Sequence, residues 1–375
     1  MVGRSVVSVH VGQCGCQVGQ SLWPLLVGEA SEDPDCMLLN GSSPRAVYID
    51  MEERVVNRLS DHSFVVKHHS GSGNNWARGY HEFGRSSVFG ESSIDLIRRQ
   101  IEMCESCDSV LFFASSSGGT GSGLGSYLVT QARNHFGAMP IFVFPVVSSP
   151  SHSDVVTGSY NTALAMREWI DNASAVIPFD NQAIKGSNEL ICSFVSSLTA
   201  CMRFPSCEVS TRVSDITRLG QSVLVPSYTA VASSSISNVE KEFDSKFSDI
   251  SSGKCRLLSL PKPKGKEKVG GFGLVARISA TARITTSDAV RNATRIWPHK
   301  NIPRGHEFLG VAPQCGNALA ASLASVSSTS STSGLLRRIA QEADGLLRKR
   351  AHLHHYGEWM DANDILDCIH SLNLN

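Results

Sequence analysis

The chain has 375 residues, 41% of them hydrophobic, which suits two or three domains with sizeable cores. Lys+Arg and Asp+Glu both number 34, so the formal net charge is zero; general nucleic-acid and membrane-surface binders carry a basic excess, and neither partner is expected here. No stretch supplies the roughly 20 apolar residues that cross a bilayer, and the 11 scattered cysteines read as free thiols of a reducing, cytoplasmic compartment.

Residues 6–11 alternate apolar and polar side chains, which predicts a strand rather than a signal peptide. The strand ends at Gly12-Gln13-Cys14-Gly15-Cys16, and a helix follows to about Val27. Residues 45–50 and 64–66 predict two further strands. Ile94, Ile97 and Ile101 fall at helical spacing within 91–104. Residues 109–114 (SVLFFA) are continuously apolar, as in a parallel strand buried on both faces. A glycine-rich loop and a helix to about Phe136 come next, then strands at 141–145 and 175–177. This alternation predicts a doubly wound α/β fold with a mostly parallel sheet.

Leu190, Ile191, Phe194, Val195, Leu198 and Met202 line one side of a long helix over 188–203, which Phe204-Pro205 ends. Residues 205–310 are richer in Ser, Lys and short β-like runs. The charge run 262–268 predicts a solvated loop, and the Ser/Thr run 325–333 a flexible one. Helices are expected over 335–350 and 362–372. Residues 360–375 contain no Glu, so no acidic tail is expected.

The loop Ser117-Gly118-Gly119-Thr120-Gly121-Ser122-Gly123 lies between a strand and a helix. Glycines let backbone N–H groups approach phosphate oxygens closely, and a helix N-terminus favours an anion. The lysine of Gly-x-x-x-x-Gly-Lys-Ser/Thr is missing, so this is not the common P-loop, and Thr120 breaks the dinucleotide pattern Gly-x-Gly-x-x-Gly. A nicotinamide-dependent oxidoreductase would need that pattern after the first strand, where Gly12-Gln13-Cys14-Gly15 does not supply it. By itself the loop could also be a plain linker.

Three more segments accompany it: 12–19 (GQCGCQVG), 71–79 (GSGNNWARG) and Ser153-Asp154-Val155-Val156 with Tyr160-Asn161. In this order the motifs resemble the tubulin family. Residues 45–52, 196–205 and 350–360 are also similar to that family's second strand, central helix and C-terminal region. The likeness is dense over 4–205, weak over 206–315 and fair afterwards. A prokaryote-type division filament would share the phosphate loop, but Asn74-Asn75-Trp76 and 350–360 favour tubulin.

The resemblance implies GTP or GDP as ligand with Mg2+. It implies a GTP-binding domain at 1–186, a central helix at 187–205, a smaller α+β domain at 206–330 and C-terminal helices at 331–375. Gly12, Gln13 and Cys14 would sit against phosphates and ribose. Asp50 and Glu52 would lie near the metal, a hard ion that takes carboxylate and phosphate oxygens. Ser72, Gly73 and Asn74 would meet the terminal phosphate. Ser117, Gly118, Gly119, Thr120 and Gly121 would hold the phosphate chain, Asp154 would face the ribose, and Asn181 and Asn188 would read the guanine edge. Without the resemblance, Asp50 and Glu52 read as a solvated strand end and the two asparagines as turn or cap residues.

Several positions depart from the family. Ser117 replaces the first glycine of a triple-glycine run, and Gly158 stands where an acidic residue contacts the ribose. The stretch between Asn181 and Asn188 is short, with Ile184 nearest to a base-stacking tyrosine. Residues 214–222 lack the family's Asn-x-Asp motif, which in a polymer neighbour orients the attacking water. Binding with weak, absent or partner-dependent hydrolysis is therefore expected. The departures resemble the rarer delta, epsilon and zeta members, zeta or delta above all. They imply a cytoskeletal protein, joined to other tubulins at centrioles or basal bodies.

Two remaining signals have modest readings. Cys104-Glu105-Ser106-Cys107 has zinc-like or redox-like spacing, but a buried thiol pair at a helix-to-strand junction is expected. His352, His354 and His355 adjoin no acidic or cysteine cluster and read as a surface.

Overall fold

The structure, a computed structural model, describes residues 5–30, 39–40, 43–52, 65–67, 71–148, 155–204, 209–232, 239–260, 267–279, 285–296, 302, 305–314 and 319–374. The chain begins with β1 (Ser5–Val11), α1 (Gly12–Ala30), β2 (Ala46–Asp50) and β3 (Val65–Lys67). It continues with α2 (Ser92–Glu102), β4 (Cys107–Ser115), α3 (Gly125–Phe136), β5 (Ile141–Val147) and α4 (Gly158–Asn172). The short strands β6 (Ala175–Val176) and β7 (Phe179–Asp180) complete a seven-stranded sheet in the order β3-β2-β1-β4-β5-β6, with β7 also on β5. Every pairing in it is parallel. The chain is thus of the α/β class that the strand–helix alternation predicts.

The alternation in β1 predicts a strand with one polar face, whereas all seven of its residues are buried. Helices cover both faces of a parallel sheet, so even its polar side chains must find partners inside. His10 does so. Its ring stacks between Tyr48 and Phe113, with centroids 4.8 and 5.0 Å away. Its nitrogens reach the Ser8 hydroxyl at 2.9 Å and the Gly15 carbonyl at 3.1 Å.

The long helix α5 (Asn188–Arg203) starts at Ser187, whose hydroxyl accepts from the Glu189 N–H at 3.2 Å. It packs against α1 on one side and a second sheet on the other. That sheet contains β8 (Val225–Ala232), β9 (Val269–Ile278), β10 (Glu307–Pro313) and β11 (Leu319–Thr329), in the order β8-β11-β9-β10. Only β9 and β10 run parallel. Two helices, α6 (Val239–Ser251) and α7 (Thr286–Ile296), accompany it. Phe243, Phe247 and Ile250 of α6 share one apolar cluster with Leu274 of β9 and Leu323 of β11.

The Ser/Thr run 325–333 is not a flexible loop. Its first half completes β11, where Ser325, Ser327, Ser328 and Thr329 are buried, and its end opens α8 (Thr332–Arg348). Strand β11 is central, paired with β8 and β9. Small side chains suit a strand covered from both sides, and the Ser322 hydroxyl donates to Gln314 Oε1 at 2.9 Å. The loop expected over 262–268 falls largely outside the described residues. The last helix, α9 (Ala362–Leu374), packs with α8 against α4. No helix of the described residues is long and apolar enough to cross a membrane.

Candidate nucleotide site

Strands β1, β2, β4 and β5 end on the same edge of the sheet, at Val11, Asp50, Ser115 and Val147. From β1 the strand order runs one way to β2 and β3 and the other way to β4 and β5. Such a reversal opens a crevice at the strands' carboxyl ends, where open α/β sheets bind ligands. An open pocket of about 570 Å³ occupies this crevice.

Thirteen of the sixteen residues singled out in the sequence line it: Gly12, Gln13, Cys14, Asp50, Glu52, Ser72, Gly73, Asn74, Ser117, Gly118, Gly119, Thr120 and Gly121. Val11, Gln17, Gly71, Ser115 and Val155, to which the sequence assigns no individual role, complete the wall. Asp154 lies outside the described residues. Asn181 and Asn188 are not among the lining residues. Asn181 is exposed in a turn whose Gly186 N–H donates back to its carbonyl at 2.9 Å, and Asn188 is the first residue of α5. Ile184 is buried in the core beside α5.

Two helix starts converge on the crevice. Gly12 begins α1 in the left-handed region at φ 72°, and a Cβ there would stand 3.0 Å from the Gly121 backbone nitrogen. The two glycine loops therefore touch, backbone against backbone. Residues 120–124 form a π-helical turn leading into α3; such turns widen the backbone spacing and recur at functional sites. Between the two helix starts the pocket has N–H donors and favourable dipoles for an anion. Cys14 faces it as a neutral thiol, since burial pushes its pKa up to about 12.

The 71–79 loop closes the third side. Gly73 and Asn74 both adopt left-handed φ values, 62° and 52°. Asparagine tolerates this region better than other side chains, yet it still costs energy and must be held. The Asn74 carbonyl is fixed by the Thr157 hydroxyl at 2.7 Å and by Asn161 Nδ2 at 2.8 Å. The Ser72 and Thr120 hydroxyls stand 3.2 Å apart across the pocket wall. Ser117 is accommodated through its hydroxyl, 3.2 Å from Ser115 Oγ and 3.3 Å from Ser148 Oγ.

Asn161 is the hidden centre of this arrangement. It is fully buried on α4. Its amide donates to the Asn74 and Ser117 carbonyls at 2.8 and 2.6 Å and accepts from the Trp76 N–H and the Tyr356 hydroxyl at 2.9 and 2.5 Å. One side chain thus joins two ligand loops, α4 and the C-terminal region, using its whole donor and acceptor inventory. Asn161→Ala takes this partner from the Trp76 N–H and the Ser117 carbonyl, while the Asn74 carbonyl keeps the Thr157 hydroxyl, and is expected to cost about 2–3 kcal/mol. Denaturant unfolding measures this; a midpoint equal to the parent's would show that the hub carries no weight.

On the fourth side, Asp50 is 2% exposed, and its Oδ2 has no hydrogen-bond partner among the described residues. Its Oδ1 accepts from the Glu52 N–H at 3.2 Å. Burial pushes the Asp50 carboxyl up to about 6, against the pull of backbone hydrogen bonds from Glu52 and Met51. An orphaned, desolvated carboxylate oxygen beside exposed Glu52 fits a hard dication.

Residues 5–189 match the model of the Tubulin/FtsZ family, GTPase domain. The chain is similar to the tubulin beta-1 chains of Chondrus crispus, at 32% identity, and of Geotrichum candidum, at 29%, with 54% of each chain covered in both cases. It is also similar to the nucleomorph tubulin beta chain of Guillardia theta, at 29% identity over 54% of this chain and 55% of the relative. The chain spans about half the length of the curated relatives it matches.

Proposed function

Because residues 5–189 match the model of the Tubulin/FtsZ family, GTPase domain, we propose that the chain is a tubulin-like cytoskeletal protein of that family that holds GTP or GDP in the crevice. The observation that carries this reading is the convergence of 12–14, 71–74 and 117–121 on one pocket at the reversal of the strand order. The loops would take the phosphates on backbone N–H groups. Asp50 and Glu52 would hold Mg2+, which supplies positive charge to phosphate oxygens. Asp154 would face the ribose, and Asn181 and Asn188 the base.

Hydrolysis by this chain is weak or depends on a partner. The stretch 213–219, where an acid would be needed to orient water on a neighbour's phosphate, offers only Asp215. That carboxylate is engaged in its own turn, accepting from the Arg212 N–H at 2.8 Å and pairing with Arg218 at 2.9 Å. The partners are other tubulins, and the setting is a microtubule-based assembly in the cytoplasm. The departures at Ser117 and Gly158 favour a rarer type, zeta or delta, at centrioles or basal bodies.

The deciding measurement is equilibrium binding of GTP and ATP in the presence of magnesium. GTP is expected to bind at least tenfold more tightly; equal affinities, or no binding, would remove the nucleotide assignment. Phosphate release with and without α/β-tubulin polymers tests turnover. Rapid release by the isolated chain would contradict the engaged role of Asp215.

A further inference from the structure

The loop 71–75 is held from outside rather than by itself. Inside it, the Asn75 N–H returns to the Ser72 carbonyl at 3.2 Å, and among the described residues the Ser72, Gly73 and Asn74 N–H groups have no backbone partner. Gly73 and Asn74 also sit in the left-handed region, a conformation that needs support. We propose that the segment 351–356 is a positioning element of the nucleotide site, with Tyr356 as its main anchor. It sets this loop so that the open N–H groups take the terminal phosphate, and so favours GTP over GDP. The inference rests on the nucleotide reading of the crevice, with Ser72, Gly73 and Asn74 at the terminal phosphate.

Two ties run from this segment to the loop. The first is direct: buried Asn75 donates through Nδ2 to the His355 carbonyl, while its Oδ1 accepts from the Arg78 N–H at 3.1 Å. The second runs through Asn161. The Tyr356 hydroxyl donates to Asn161 Oδ1 at 2.5 Å, and Asn161 Nδ2 donates to the Asn74 carbonyl at 2.8 Å. Tyr356 is fully buried, and burial pushes its hydroxyl pKa upward, so it stays a neutral donor. The ties leave from neighbouring residues, 355 and 356, and arrive at neighbouring residues, 75 and 74. The segment itself is braced on α4: the Tyr160 hydroxyl donates to the Ala351 carbonyl at 3.0 Å, and the Tyr160 and Tyr356 rings meet edge to face with centroids 5.6 Å apart.

On its other side the loop meets the glycine run. A Cβ on Gly119 would collide with the Ser72 hydroxyl and stand 2.5 Å from the Asn75 backbone nitrogen, so the loop has no room to move that way. Once the ties loosen, it can only withdraw from the glycine run. N–H bonds to an anionic ligand weaken steeply as they lengthen and tilt. The loops at Gly12 and Gly121 touch each other without using the segment 351–356. Phosphates common to GTP and GDP therefore keep their donors, and the terminal phosphate alone loses its own.

The test is equilibrium titration of the full chain with GTP and with GDP, in the presence of magnesium, for the parent, Tyr356→Phe and Tyr160→Phe. Tyr356→Phe keeps the ring and removes only the hydroxyl, so GTP affinity should fall about tenfold and GDP affinity less than about threefold. Tyr160→Phe frees the other end of the segment and should shift the ratio of the two affinities in the same direction, by about threefold. A purely structural role would lower stability and leave that ratio unchanged. With a parent that binds GTP, an unchanged ratio in Tyr356→Phe would overturn the inference alone; if that variant does not fold, an unchanged ratio in Tyr160→Phe does so. A parent that binds neither nucleotide would overturn the crevice assignment, and this inference with it.

Discussion

Gly121→Ala is expected to weaken GTP binding by about 100-fold or more. A Cβ at this position would meet the backbone nitrogen and oxygen of Ser115 at 2.8 Å each. Backbone cannot swing aside as a flexible side chain can, so the turn itself must move. It has little room to do so, because Gly12 already packs against the Gly121 nitrogen on the other side. N–H groups displaced from an anionic ligand each lose a charge-assisted hydrogen bond, of about 1.5–3 kcal/mol. Two such losses exceed a hundredfold, since about 1.4 kcal/mol is one factor of ten. Thr120→Val is the milder companion. It is nearly isosteric and removes only the hydroxyl that faces Ser72, so about tenfold is expected. Titration with a fluorescent GTP analogue measures both; parent-like affinity in the two variants would place the phosphates elsewhere.

The parts of this site that are legible in the sequence are those written in local backbone demands. Glycine runs after strands mark where the chain must turn sharply, and the strand–helix alternation places both runs on one sheet edge before any coordinate is known. Asn161 is not legible in the same way. Its four partners, Asn74, Trp76, Ser117 and Tyr356, lie 44 to 195 positions away, and nothing local marks an asparagine inside a helix as their meeting point. The second sheet is hidden for another reason. Strand β11 is buried on both faces yet built largely from Ser, Ala and Thr, so its composition imitates a flexible linker. Hydrophobic patterning reports transfer from water, whereas a tightly covered strand also selects for small size.

Glu29→Ala is expected to destabilise the protein by about 3–5 kcal/mol, the range for removing one member of a buried ion pair. Glu29 stands in the last turn of α1, 8% exposed. Its two oxygens take Arg203 of α5 at 2.5 Å and Arg277 of β9 at 2.9 Å, and the Ser196 hydroxyl adds a bond at 2.9 Å. Removing the carboxylate strands two guanidiniums that are nearly inaccessible to solvent. Burial alone would raise the Glu29 carboxyl, but Arg203 and Arg277 take it below its ordinary 4.5. A carboxyl lowered on folding stabilises the native state fully above its unfolded value, and that contribution fades as pH falls through the folded value. The parent should therefore lose stability below about pH 4.5 along a limb that Glu29→Gln lacks. An apolar replacement of the whole triad, Glu29→Leu with Arg203→Met and Arg277→Met, should recover much of the loss, because no buried charge is left unpaired. GTP affinity should change little in any of these variants: α1 has 19 residues, so at 1.5 Å per residue the triad lies roughly 25 Å from Gly12. Denaturant unfolding at pH 7 and pH 4, combined with GTP titration, separates the two ends of this helix. Parent-like unfolding of Glu29→Ala at pH 7 would mean that α1, α5 and the second sheet are held together by apolar packing alone.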